Sequence, residues 1–263
     1  MNIISETLQN QSSSCSLIPF ITAGYPTLQT TVNIIYALDS KGADIIELGI
    51  PYSDALADGP TIQDASKAAI KQGVHLDQIL DLLKEVIPKI TTPIVIFTYY
   101  NPILAVGTMS FISKVSKSGV KGLVVPDLPL EEMDYVSQLC FSFKIELILF
   151  IAPTSSESRV TSILAKSPGC IYLVSSNGVT GMGQQVDKQI GPLVKFIKSK
   201  TNKSIMLGFG IASLDQAHSA SQLNIDGIVV GSAFIKQISN SDYNNIVVDV
   251  GIFCQNLKSA ISK

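Results

Sequence analysis

A chain of 263 residues, 46% of them hydrophobic and only 15% charged, can fill one large core; an ordinary soluble chain is about 25% charged. The formal net charge of −2 gives no electrostatic footprint for nucleic acid. No apolar run reaches the roughly 18 to 20 residues that span a bilayer; the longest, 145–152, carries Glu146 and ends at Pro153.

The first 16 residues are polar and serine-rich, with a weak helical pattern at Ile3, Ile4 and Leu8 that predicts a short helix. After them, short runs rich in Ile and Val recur at 17–22, 44–48, 93–98, 122–125, 146–150, 171–174, 205–207 and 227–230. These runs are near-continuously hydrophobic rather than alternating, as parallel strands covered on both faces should be. Helical patterns separate them. Leu28, Val32, Ile35 and Leu38 fall on one face, as do Met133, Val136 and Leu139, and then Ile190, Leu193, Val194 and Ile197. A helix over 77–90 adds to the connection between strands two and three, and a C-terminal helix is expected over 243–261. Eight strands alternating with helices predict a single-domain (β/α)8 TIM barrel spanning 1–263. The N-terminal helix would cap its floor, and extra helices would sit in loops 2 and 8. An open doubly wound sheet is the alternative; it usually carries a glycine-rich turn after its first strand, where this chain has Thr22-Ala23-Gly24-Tyr25-Pro26.

In such barrels the loops following the strands carry the site. The residues at those positions are Glu47, then Tyr99-Tyr100-Asn101, Pro126-Asp127, Ala152-Pro153-Thr154, and the run 175–178. Three glycine-rich stretches follow the last three strands: Gly178-Val179-Thr180-Gly181, Gly208-Phe209-Gly210 and Gly231-Ser232. Glycine lets backbone N–H groups approach an anion, and a short helix starting near Ser232 would aim its positive end at a phosphate. No lysine or arginine lies in these loops, so binding would rest on backbone N–H groups and Ser/Thr hydroxyls.

Glu47 closes the second strand and would point into the barrel mouth, where desolvation suits a carboxyl to proton transfer near neutral pH. Asp58, eleven residues later, would stay ionised in a polar loop and stabilise charge. Two plainer readings stand beside this: Glu47 paired with a lysine, and Asp58 capping the helix that begins near Thr61. A metal held by Glu47, Asp54 and Asp58 is a third, without a histidine to support it. Cys15, Cys140, Cys170 and Cys254 lie far apart, and neither His75 nor His218 sits beside one. Reduced thiols in the core, and no metal site, are therefore expected.

The run E-L-G-I-P-Y-S-D-A-L-A-D-G-P-T-I-Q at 47–63 closely resembles the signature loop of the tryptophan synthase α subunit family. The resemblance extends through residues 19–26, Tyr100-Asn101-Pro102, residues 125–129, Ala152-Pro153-Thr154, residues 175–181 and residues 208–211, and so covers nearly the whole chain in order. It implies retro-aldol cleavage of indole-3-glycerol phosphate to indole and glyceraldehyde 3-phosphate, with Glu47 as acid/base and Asp58 stabilising positive charge at the indole N–H. It puts Phe20, Tyr99, Leu123 and Tyr172 at the indole pocket. Gly181, Gly210, Gly231 and Ser232 fall at the phosphate, with Thr180 and Phe209 counted among the substrate-binding residues. It also implies no cofactor in this chain, and a β-subunit partner carrying pyridoxal phosphate in an α2β2 heterotetramer, met by Asp54 and Asn101.

Three positions depart from the family pattern. Ala55 stands where proline is usual, which removes one φ restraint from the loop. Ser176 stands where some members have arginine, and Met182 follows the G-V-T-G motif. Two other readings fit less well. A catalytically silent phosphate-binding subunit would have no use for Glu47 and Asp58 together. Other phosphate-handling barrels more often carry lysine or paired aspartates at strand ends, and no strand end here carries lysine. The first basic residue is Lys41 and Arg159 is the one arginine, so neither a signal nor a transit peptide is expected. The expected compartment is the cytoplasm, or a plastid stroma if the chain is plastid-encoded.

Overall fold

The computed structural model describes residues 2–10, 15–174, 190–208 and 210–262. Eight parallel strands close into a barrel in sequence order: β1 Ser16–Thr22, β2 Ile46–Gly49, β3 Ile94–Phe97, β4 Gly122–Val124, β5 Glu146–Ile151, β6 Ile171–Val174, β7 Ile205–Gly208 and β8 Gly227–Val230. Pairing of β1 with β8 completes the ring, with Leu17 opposite Ile228. All seven residues of β1 are buried, the pattern of a strand covered by side chains within the barrel and by helices outside it. Strand positions were expected to within two residues, and the differences have local causes. Asp44 is not part of β2, because its carboxylate accepts from the Leu17 N–H and from Lys258 Nζ, both at 2.6 Å. Pro93 has no N–H to give to a ladder and lies before β3.

Helices α1 Ile3–Gln9, α2 Leu28–Ser40, α3 Pro60–Lys71, α4 Leu76–Val86, α5 Tyr100–Val106, α6 Thr108–Lys117, α7 Met133–Ser142, α8 Glu157–Lys166, α9 Ile190–Lys200, α10 Leu214–Ser221, α11 Ser232–Asn240 and α12 Ile246–Ile261 complete the described elements. Side-chain caps explain several starts: Thr27, Ser156 and Ser213 each accept from the N–H three residues on. The helix expected over 77–90 is instead α4 followed by a 3₁₀ turn, Ile87–Lys89, since Pro88 cannot continue an α-helical ladder. The buried faces turn slightly from the expected stripes. In α2, Ile34, Ile35 and Leu38 are buried while Leu28 and Val32 lie at the edge; in α7, Cys140 is buried and Leu139 is not.

Helix α1 closes the barrel floor, as expected: a Cβ on Gly122 would meet Ile4, and one on Gly227 would meet Leu8. It is anchored by Glu146, the first residue of β5. The Glu146 carboxylate accepts from the Ser5 N–H, the Ser5 hydroxyl and the Cys170 N–H. A strand residue thereby caps the first turn of a helix across the barrel end, satisfying one of its free N–H groups. All four cysteines are buried and unpaired with each other. Among the described residues no helix is long and apolar enough to cross a membrane.

Replacing Glu146 with alanine should strand these donors in the floor. Hydrogen bonds to a charged group contribute about 1.5–3 kcal/mol, so Glu146→Ala should lower unfolding stability by about that amount in a urea titration. An unchanged midpoint would show that α1 is held by Ile4 and Leu8 alone.

Candidate active site

A cavity of about 370 Å³ opens at the C-terminal end of the strands, lined by Phe20, Glu47, Asp58, Ile62, Phe97, Tyr172, Gly210, Val229, Gly231 and Ser232. Register explains the convergence. Phe20 of β1 lies opposite Glu47 of β2, and neighbouring residues in a parallel ladder share a face. Two glycines make room for the rings. A Cβ at Gly49 would come within 2.6 Å of Phe20 Cζ, and one at Gly208 within 2.3 Å of the Tyr172 hydroxyl. Tyr172 stacks on Phe150 at 4.4 Å, and Phe97 meets Phe20 edge-on at 5.7 Å. The chamber thus has aromatic walls suited to a flat apolar ring.

The two carboxyls sit within this apolar surround. Glu47 is 2% exposed; burial, and secondarily the charge of Asp58, push its pKa up to about 8. Asp58 is 4% exposed and pushed up by burial to about 6, opposed by a hydrogen bond from Tyr99. The expectation of a polar loop around Asp58 is therefore corrected, yet Asp58 is still largely ionised at neutral pH while Glu47 is largely protonated. Neither plainer reading holds. The N-cap of α3 is Gly59, without a side-chain cap, and among the described residues the cavity lining includes no lysine. The metal alternative also fails: Asp54 is exposed, its carboxylate taking the Ser53 hydroxyl at 3.2 Å. Among the described residues no group of His, Cys, Asp and Glu could hold a metal.

The Asp58 loop is tied down from several sides. The Tyr99 hydroxyl donates to Asp58 Oδ2 and accepts from the Ala57 N–H, both at 3.0 Å. Gln63 Nε2 donates to the carbonyls of Ala55 and Asp58 at 3.1 and 3.0 Å. Ala55 is 3% exposed, so packing and these bonds hold the position where a proline ring would otherwise restrain φ.

Of the other residues singled out, Phe20, Tyr172, Gly210, Gly231 and Ser232 line the cavity. Ser232 is the first residue of α11 and Gly231 its N-cap, giving a helix N-terminus at the cavity wall. Tyr99 stands behind Asp58 rather than in the wall. Leu123 does not line the cavity: it is in register with Ile96 and Leu147, whereas Val124 pairs with Phe97. Leu123 therefore faces the helix layer, one residue out of phase with the pocket. Thr180, Gly181, Phe209, Ser176 and Met182 lie outside the described residues. Ile62, Phe97 and Val229 line the cavity without having been picked out, because apolar wall residues look like core in a sequence. Asn101 is exposed at the start of α5 and donates to the Tyr52 hydroxyl at 3.1 Å.

The family model described as tryptophan synthase alpha chain matches residues 7–262. A tryptophan synthase alpha chain from the red alga Gracilaria tenuistipitata var. liui is 56% identical over 261 residues, covering 99% of this chain and 97% of that one. Another from Trichodesmium erythraeum is 46% identical, covering 98% and 97%. Among solved structures, Mycobacterium tuberculosis tryptophan synthase superposes with a TM-score of 0.90 at 28% identity, covering 99% of this chain and 98% of that one. A tryptophan synthase complex from Pyrococcus furiosus gives 0.85 at 32%, covering 94% and 98%. Two buried carboxyls in an aromatic barrel mouth thus occur in a chain that belongs to the tryptophan synthase alpha chain family, the lyases that cleave indole-3-glycerol phosphate to indole and glyceraldehyde 3-phosphate.

Proposed function

We propose that Glu47 is the proton shuttle of this cleavage and Asp58 its charge stabiliser; the observation that carries this is their burial in one cavity with Glu47 held up near 8. Protonated Glu47 gives its proton to indole C3, making that carbon tetrahedral and placing positive charge on the ring nitrogen. Ionised Asp58 accepts a hydrogen bond from the ring N–H and stabilises that charge. The bond from C3 to the glycerol carbon then breaks, its electron pair restoring the indole ring. As the adjacent hydroxyl becomes the aldehyde of glyceraldehyde 3-phosphate, its proton passes to the Glu47 carboxylate. The shuttle returns to its starting state and protons balance.

The remaining assignments extend this reading. Phe20 and Tyr172 would hold the indole ring, with Phe97 beside them. The phosphate would take the N–H groups near Gly210, Gly231 and Ser232, at the positive end of α11, together with Thr180, Gly181 and Phe209. The chain would work as one barrel domain without a cofactor of its own. Its partner would be a β subunit carrying pyridoxal phosphate, in an α2β2 heterotetramer; that the Pyrococcus furiosus relative is a tryptophan synthase complex supports a partner subunit. Asp54 and Asn101 would face that subunit, flanked by exposed Leu56, Leu104 and Met109. Red algal and cyanobacterial relatives favour a plastid stroma or a bacterial cytoplasm.

Glu47→Gln should cut indole release by at least about 10²-fold, the scale of a lost general acid–base, while indole-3-glycerol phosphate still binds in a calorimetric titration. Turnover near wild type would contradict the role. In the intact enzyme, kcat/KM should trace a bell. Its acid limb near pH 6 is set by protonation of Asp58 and its basic limb near pH 8 by ionisation of Glu47. Activity flat from pH 5 to 9 would contradict the assignment.

A further inference from the structure

Asp58 is oriented from behind by one phenol, and that phenol is itself held. The Tyr99 ring packs against two others: Phe97 at 6.0 Å and 82°, an edge contact, and Tyr52 at 5.3 Å and 33°. Tyr99 is buried while Tyr52 is half-buried, so Tyr52 is the outer cover. The Tyr52 ring is in turn pinned by its hydroxyl, which accepts from Asn101 Nδ2 at 3.1 Å. Tyr52 sits six residues before Asp58 in the same loop, and Asn101 lies in the first turn of α5. The three aromatic residues and the amide therefore tie the loop after β2 to the loop after β3.

We propose that Tyr52 is a positioning residue for Asp58, acting by confining the Tyr99 ring so that its hydroxyl stays on the Asp58 carboxylate. This rests on the reading of Asp58 as the charge stabiliser and adds to it a residue that touches neither substrate nor carboxylate. A phenol packed against two rings is restrained in orientation. With the Tyr52 ring removed, it gains freedom to rotate, and its hydrogen bond to Oδ2 lengthens or is shared with water. That bond favours the ionised form of Asp58, so weakening it raises the pH at which Asp58 takes up a proton. The other ionisable groups bearing on this pair are Glu47 from β2 and Tyr172 from β6, with Asp127 acting on Tyr99 after β4. None of them touches Tyr52 by a hydrogen bond among the described residues.

Steady-state indole release against pH, measured on Tyr52→Ala, Tyr52→Phe, Tyr99→Phe and the Tyr52→Ala/Tyr99→Phe double variant, tests the proposal. Misplacement of a charge-stabilising group can cost up to about 10²-fold. Tyr52→Ala should accordingly lower kcat by about tenfold and move the acid limb to higher pH. Tyr52→Phe, which keeps the ring, should recover most of that loss. The double variant should be no slower than Tyr99→Phe alone, because both changes act through one hydroxyl. A wild-type kcat and acid limb in Tyr52→Ala would overturn the proposal, as would losses that multiply in the double variant or no recovery in Tyr52→Phe. Asp58→Asn, run in parallel, separates the levels: full turnover there would overturn the role of Asp58 itself, and the Tyr52 proposal with it.

Discussion

The site depends on a carboxyl kept out of water with, among the described residues, no cation beside it. Glu47, the second residue of β2, looks into an aromatic chamber, and the charge that acts on it is that of another carboxyl, Asp58. Both influences favour the protonated form, so a group ordinarily ionised at neutral pH is held protonated. The same barrel holds a second glutamate that is equally buried and chemically quiet. Glu146, at the opposite end, receives donors from Ser5 and from the Cys170 N–H. Glu47 has no such donor among the described residues. Surroundings separate the two: Glu146 meets the floor helix, and Glu47 meets the cavity.

Asp58 shows how a loop can be made dependable without regular structure. Four hydrogen bonds, from Tyr99, Gln63 twice and the Asp58 N–H to the Ala55 carbonyl, fix its backbone and carboxylate. Pro60 then begins α3 at a position where its missing N–H costs nothing. The Ala55 position is held by side-chain burial.

Much of this was legible in the sequence because the fold announces itself through period and position. Continuous Val and Ile runs gave the strands, and carboxylates, glycines and hydroxyls at their ends gave the cavity rim. The differences have separate physical origins. In Gly122-Leu123-Val124-Val125, every residue is buried whether it faces the barrel or the helices, so no alternation marks the inward side. Nothing in the local pattern could therefore correct the placement of Leu123 in the pocket, which came from the family resemblance, or pick out Phe97 and Val229. Asp58 was expected in a polar setting because its sequence neighbours are small and turn-forming; the burying groups, Ile62 and Tyr99, come from a helix turn and a strand end. The contact of Tyr52 with Tyr99 joins residues 47 positions apart in sequence, beyond the reach of any local pattern.

The most direct test of the account is the titration of Glu47 itself. Carboxyl absorption in infrared difference spectra, with the Glu47 band assigned by its loss in Glu47→Gln, would follow it from pH 4 to 9. The account predicts protonation persisting to about pH 8 and a lower midpoint in Asp58→Asn, where the neighbouring charge is removed. A Glu47 band titrating in the ordinary carboxylate range near pH 4 to 5, unmoved by Asp58→Asn, would contradict it.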